Sequence, residues 1–162
     1  MRATYFIFTL LSFFLFSNCQ NNTEETKQNE DVIISEIDSL VNVWHQSASN
    51  SNFDAYFNLM DSNSIFIGTD ASENWTKKEF KVFSKPYFDD GKAWDFKPLD
   101  RNIYLNQNYK VAWFDELLNT WMGTCRGSGV FEKIDNQWKL KHYVLSLTIP
   151  NEIMDSVITI VK

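Results

Sequence analysis

The sequence predicts a domain of the α+β class, because helical and strand-like patterns occupy different parts of the chain. Between residues 32 and 85 apolar side chains recur mainly at helical spacing, whereas from Trp94 onward the pattern is that of long strands. The 162 residues fit one domain, and only 5 Gly and 3 Pro interrupt regular structure. Helices followed by a series of strands are typical of an antiparallel sheet with the helices packed against it.

Two helices and a short strand are predicted at the start of the domain. Residues 32–48 have apolar side chains three and four positions apart, the spacing of an amphipathic helix. A second helix is expected over 53–60, with Ser51 or Asn52 as its N-cap. The apolar run 64–67 predicts a short strand.

A third helix is predicted over residues 77–85. Thr76 and Glu79 have the spacing of a capping box, in which each satisfies a backbone N–H of the first turn. Pro86 is expected to end this helix, because proline disfavours helical geometry in the residue before it.

Four strands are predicted to complete the domain as an antiparallel meander. They are 94–105, 111–118, 124–133 and 138–147. Residues 134–136 suit a three-residue hairpin loop with Asn136 in the left-handed conformation, and this register sets Ser128 opposite His142.

The turn over residues 119–123 allows two registers. One places Asp115 opposite Arg126, and a slip by one residue places Glu116 there instead. In either register an acid faces the arginine. We expect Asp115, Arg126 and His142 to share the inner face of the sheet with apolar residues, where ionisable groups need a structural or functional explanation.

The first 31 residues are predicted to lie outside the folded domain. Residues 5–16 are almost entirely apolar and too short to span a membrane, so residues 1–18 indicate a signal peptide. The segment with Cys19 resembles a bacterial lipoprotein signal, which implies lipidation of Cys19, and ordinary secretion is the alternative. Residues 19–31 are polar and are predicted to be a disordered tether.

The resemblance implies a location in the cell envelope, with the lipid on Cys19 anchoring the chain in a membrane that faces the periplasm or the exterior. Without the anchor the chain would be secreted. A net charge of −6 argues against a nucleic-acid partner, since phosphate binding needs a basic surface.

The domain also resembles the SnoaL-like branch of the nuclear-transport-factor-2-like superfamily, over about residues 32–151. The resemblance rests on five segments: IFIGTD (65–70), ENW (73–75), AWFDE (112–116), RGSGV (126–130) and WKL (138–140) with His142 and Ser146. It implies a cone, in which a curved sheet wraps around the N-terminal helices of the 32–162 domain and encloses a pocket. The superfamily contains enzymes and binding proteins, so the fold leaves the chemistry open.

Asp115 is the candidate general acid or base, since burial and Arg126 would both act on its pKa. The alternative is a structural Asp115–Arg126 pair. His142 is the second catalytic candidate, as a proton relay, or else a core histidine bonded to Ser128. His45 is expected to be exposed. Two separated histidines predict no metal site, and no cofactor is indicated.

Six residues are candidates for contact with a small-molecule ligand: Tyr56, Trp75, Trp94, Trp113, Arg126 and Ser128. The aromatic members would stack on a flat ligand or would simply pack in the core. Three functions follow: a lipoprotein that binds a small apolar or hydroxylated molecule, a lyase, isomerase or hydrolase that uses Asp115, and a protein-interaction module.

The interaction module, or a homodimer, would use the outer sheet face. Four apolar side chains are expected on that face, where they would form an interface. They are Phe114, Phe131, Tyr143 and Leu145.

Overall fold

The computed structural model describes residues 18–161, which form one antiparallel-rich sheet and four α-helices. The helices are α1 (Asn18–Ser49), α2 (Phe53–Leu59), α3 (Lys77–Asp89) and α4 (Met154–Val161). The strands are β1 (Met60–Ile67), β2 (Asn74–Thr76), β3 (Lys97–Leu105), β4 (Val111–Thr120), β5 (Gly123–Ile134) and β6 (Gln137–Leu147). A short 3-10 helix, Asn151–Ile153, precedes α4. The predicted α+β class is confirmed.

The sheet has the strand order β2-β1-β6-β5-β4-β3 and is curved. The meander from β3 to β6 is antiparallel as predicted, whereas β1 joins the sheet parallel to β6. Helices α1, α2 and α3 cover one face, called here the inner face, and the opposite face is called the outer face.

Helix α1 begins earlier than predicted. Most of the predicted signal peptide, residues 1–17, lies outside the described residues. The stretch 20–31, expected to be disordered, is helical, because it contains several good helix formers and neither Gly nor Pro. From residue 27 onward, the first buried side chain of α1 is Ile33, which lies close to the predicted start of the domain.

The predicted caps of α2 and α3 are confirmed. Asn52 accepts a hydrogen bond from the Ala55 N–H, and Thr76 and Glu79 form the full capping box. The prediction that Pro86 ends α3 is wrong, since the helix runs on to Asp89. Phe88 is the reason: it is buried, and it packs edge-on against Phe53 with ring centres 5.4 Å apart.

Both predicted hairpin registers are wrong. Asp135 and Asn136 both have positive φ, 48° and 61°, and form a two-residue turn in which Ile134 pairs with Gln137. A bulge near Val130 then sets Val130, rather than Ser128, opposite His142. These shifts determine which side chains of β6 reach the helices.

Candidate functional site

The residues predicted to form an inner polar cluster lie on the outer face. Asp115, Ser128 and His142 point away from the helices and are exposed or half-buried, and Arg126 is exposed. Arg126 lies opposite Leu117, so within the described residues neither predicted acid faces it. Trp113 is also on this face, 43% exposed and stacked on Tyr104 with ring centres 5.9 Å apart.

The opposite set of side chains forms the core. The four side chains predicted to form an exposed patch are at most 5% exposed; they are Phe114, Phe131, Tyr143 and Leu145. They are therefore unavailable for an interface, and the support they gave to a homodimer or an interaction module is removed.

Both faces of β4 carry apolar residues at alternate positions, so the predicted inner and outer faces were exchanged. Alternation alone does not say which set faces the helices. Glycines supply the missing signal. A Cβ at Gly127 would collide with Tyr143 and Glu116, and one at Gly129 would collide with Phe114, so only the inner face requires glycine here.

A buried carboxylate, Glu116, occupies the inner face of β4. It is 1% exposed, and its two oxygens accept four hydrogen bonds. His45 Nε2 and the Tyr143 hydroxyl donate to Oε1, each at 2.8 Å. Arg101 donates to Oε2 from Nε at 3.0 Å and from Nη2 at 2.8 Å.

Arg101 joins Glu116 to α1. Its Nη1 donates to Asp38 Oδ1 at 2.6 Å and to Asn42 Oδ1 at 2.9 Å. The side chain of Arg101 is only 5% exposed, so its charge is compensated by two carboxylates rather than by water. The network therefore fastens the edge strand β3 and the neighbouring β4 to the first helix.

Glu116 stays ionised in this environment. Burial would raise the pKa of its carboxyl, but the hydrogen bond and charge of His45, together with Arg101, outweigh it and lower the pKa below its ordinary value. Burial, followed by the charge of Glu116, raises the pKa of the Tyr143 phenol well above its usual range. Tyr143 is therefore a neutral donor and Glu116 a charged acceptor.

Each oxygen of Glu116 already accepts two hydrogen bonds and is not free for a reacting molecule, which indicates a structural role. His45 Nδ1 is the buried atom of this network that lacks a partner. Sequence reasoning placed His45 at an exposed helix end; that is wrong, because His45 is 4% exposed. The spacing of His45 from the apolar residues of α1 could have predicted that it is buried. His45 follows Val41 by four residues and Ile37 by eight, which places it on the same apolar stripe of α1.

A small cavity lies at one end of the sheet, beside the loop that joins β1 to β2. Its volume is about 120 Å³. Six aromatic side chains line it: Phe66, Trp75, Phe80, Phe83, Trp94 and Phe96. The other lining residues within the described part of the chain are Gly68, Thr69, Glu73 and Leu145, and of these Glu73 is the ionisable one.

The aromatic rings of the cavity wall are close to parallel. Phe80 lies at interplanar angles of 16° to Phe66, 16° to Trp75 and 23° to Trp94. Trp75 also stacks on Phe83, with ring centres 4.4 Å apart. These rings contact one another, with the centres of the Phe80 pairs 4.0 to 5.6 Å apart, so a flat apolar group would stack against this wall rather than between its rings.

The structure brings two of the six predicted ligand contacts to this cavity, namely Trp75 and Trp94. Tyr56 lies behind the wall, 1% exposed and 5.4 Å from Trp94 between ring centres. Trp113, Arg126 and Ser128 are on the outer face of the sheet, as is the predicted catalytic pair Asp115 and His142.

Neither a metal centre nor a membrane-crossing helix is found in residues 18–161. No three His, Cys, Asp or Glu side chains of this part are grouped to hold a metal ion. No helix in it has the length and apolar character to cross a bilayer. Cys125 is a buried free thiol on the inner face of β5.

Comparison with solved structures identifies the same fold in several bacterial proteins. A putative dehydratase from the NTF2-like family of Streptomyces avermitilis superposes with a TM-score of 0.64 at 11% identity, over 75% of this chain and 99% of the other. A domain of unknown function with a cystatin-like fold from Nostoc punctiforme has a TM-score of 0.63 at 12% identity, over 79% and 85%. An NTF2-like protein from Cytophaga hutchinsonii has a TM-score of 0.60 at 17% identity, over 70% and 97%.

No curated protein matches the sequence. Residues 37–150 match the SnoaL-like domain family, a span that runs from the buried part of α1 to the end of β6. With the topology and the enclosed aromatic core, this match assigns the chain to the SnoaL-like domain family of the NTF2-like fold.

Proposed function

We propose that this chain is a binding protein for a small, flat, mainly apolar molecule, which it holds in the aromatic cavity between α3 and the end of the sheet. The near-parallel rings around that cavity are the observation that supports the proposal. The volume of about 120 Å³ is somewhat below the roughly 150 Å³ of a cavity that binds benzene, so the ligand is no larger than a single small ring.

Acid–base catalysis by Asp115 is not favoured by the geometry. Its carboxyl lies on the outer face, where Asn102 is its hydrogen-bond partner at 3.4 Å. Glu116 is the acid of β4 that points inward, and all its acceptor positions are engaged. A lyase, isomerase or hydrolase needs a titratable group that can reach the substrate, and neither residue meets that need.

Toluene is a suitable probe for the cavity, and calorimetric titration measures its binding. We expect saturable binding that weakens about tenfold in Trp75→Ala, because one lost aromatic contact is worth about 1.4 kcal/mol. Phe83→Ala, a change at a more exposed wall residue, should weaken binding in the same direction.

Trp121→Ala provides the matched control, since Trp121 is 84% exposed in the turn between β4 and β5. It removes the same side chain from a position that does not line the cavity. Equal affinities for wild type, Trp75→Ala and Phe83→Ala would contradict the proposal, provided that circular dichroism shows the variants to be folded.

We also propose that the binding domain is held at the cell envelope by a lipid on Cys19. The apolar segment that precedes this cysteine in the sequence supports the proposal. Residues 27–32 of α1 have exposed or half-buried side chains, so this stretch lies between Cys19 and the packed part of the domain.

A further inference from the structure

We infer that the molecule held in the aromatic cavity carries a positive charge, so that its class is a small organic cation such as an alkylated nitrogen heterocycle. This inference rests on the proposed binding function and adds the charge of the ligand to it. Three features of the cavity carry it: the aromatic wall, the carboxylate of Glu73, and the absence of basic side chains from the lining that residues 18–161 provide.

The aromatic wall suits a cation as well as a neutral ring. The faces of aromatic rings carry partial negative charge and attract cations within about 6 Å of the ring centre. Six rings surround a volume of about 120 Å³, so any bound group lies close to several of them. A neutral ring and a cationic ring of the same shape would therefore both fit, and the polar part of the lining decides between them.

Glu73 supplies that polar part. Its side chain is half-buried, and Oε2 accepts a hydrogen bond from the Asp70 N–H at 3.1 Å. Among the described residues no lysine, arginine or histidine forms a salt bridge with Glu73, so its charge is not neutralised by the protein. A cation in the cavity would be its counter-ion.

Gly68 allows the carboxylate of Glu73 to lie against the end of β1. A Cβ at residue 68 would overlap the Glu73 carboxyl group, and the Gly68 N–H donates to the Glu73 backbone oxygen at 2.9 Å. This backbone hydrogen bond closes the loop between β1 and β2, and the closed loop holds Glu73 beside the cavity. The net charge of −6 also attracts cations to the protein over longer distances.

The experiment compares toluene with N-methylpyridinium, two probes of nearly the same shape that differ in charge. Calorimetry gives the dissociation constant of each for wild type, Glu73→Gln and Asp70→Asn. Glu73→Gln keeps an acceptor for the Asp70 N–H and removes the charge. Asp70→Asn removes a charge from the same loop at a residue that does not line the cavity.

We expect Glu73→Gln to weaken N-methylpyridinium binding relative to toluene by threefold or more, and Asp70→Asn to change that ratio by less than threefold. A smaller change in Glu73→Gln, or an equal change in Asp70→Asn, overturns the inference. Toluene binding without N-methylpyridinium binding also overturns it but leaves the proposed function standing. If neither probe binds, both fail.

Discussion

At the scale of single residues, Asp115 and Glu116 show how strongly one position along a strand changes the environment of a carboxylate. The side chain of Asp115 points outward and is half-buried, and that of Glu116 points inward to Arg101, His45 and Tyr143. The two residues are therefore a matched pair for measuring how much the inner network contributes to the free energy of unfolding.

Glu116→Gln is expected to lower the free energy of unfolding by about 3–5 kcal/mol at neutral pH, because it leaves the buried Arg101 without its inner counter-charge. Asp115→Asn should change it by less than about 0.5 kcal/mol, as is usual for a surface position. Urea unfolding followed by circular dichroism measures both, and similar losses in the two variants would contradict a special role for the network.

The same pair predicts a pH dependence. The folded-state pKa of Glu116 lies below its ordinary value of 4.5, so the stabilisation is fully present above that value and is lost as pH falls through the folded pKa. The difference in unfolding free energy between wild type and Glu116→Gln should therefore shrink at acidic pH. A difference that grows on acidification would show the sign to be wrong.

At the scale of elements, the turn between β5 and β6 explains why the predicted register failed. A three-residue loop needs one left-handed residue, whereas the observed two-residue turn has both Asp135 and Asn136 at positive φ. Asp and Asn tolerate this conformation, so the sequence was compatible with either loop. Side-chain packing beyond the turn, including the bulge near Val130, selected one of them.

Asp135→Val tests this turn, because a β-branched residue at a φ of 48° is strained. We expect a loss of about 1–2 kcal/mol in unfolding free energy. Asp135→Asn removes the same charge but keeps a residue that accepts the left-handed conformation, so it should be nearly neutral. Equal stabilities for the two variants in chemical unfolding would favour a loop in which Asp135 has negative φ.

The end of α3 near Pro86 is likewise set by packing rather than by the local sequence. Local rules place the end of α3 before the proline, yet one more turn follows because Phe88 gains burial among the aromatic residues of α2. The capping box at Thr76 was predictable because its partners are three residues apart in the chain. Phe88 was not, because its partners lie on another helix.

At the scale of the whole molecule, the two faces of the sheet carry different kinds of side chains. The inner face encloses the aromatic core, the Glu116 network and the cavity, whereas the outer face carries the stacked Tyr104–Trp113 pair among polar groups. The proposed anchor at Cys19 is remote from both in the sequence, so binding and attachment are expected to be separable.

Cys19→Ser tests the anchor in the full chain expressed in a bacterium. The wild-type protein is expected to incorporate radiolabelled palmitate and to be found in the membrane fraction. The variant should not be labelled and should be found outside that fraction. Ligand affinity, measured on both proteins, should not change. Palmitate labelling that persists in Cys19→Ser would refute lipidation at this residue.

The sequence by itself determined the α+β class, the meander of the last four strands, the caps of α2 and α3 and, through its motifs, the family. These follow from periodicity and from partners that are close in the chain. Only the tertiary structure decided which sheet face is inside. Both faces of β4 carry apolar residues, and packing rather than local sequence sets the register between neighbouring strands. Because Asp115 and His142 lie on the outer face, the candidate site is the aromatic cavity beside Glu73 instead.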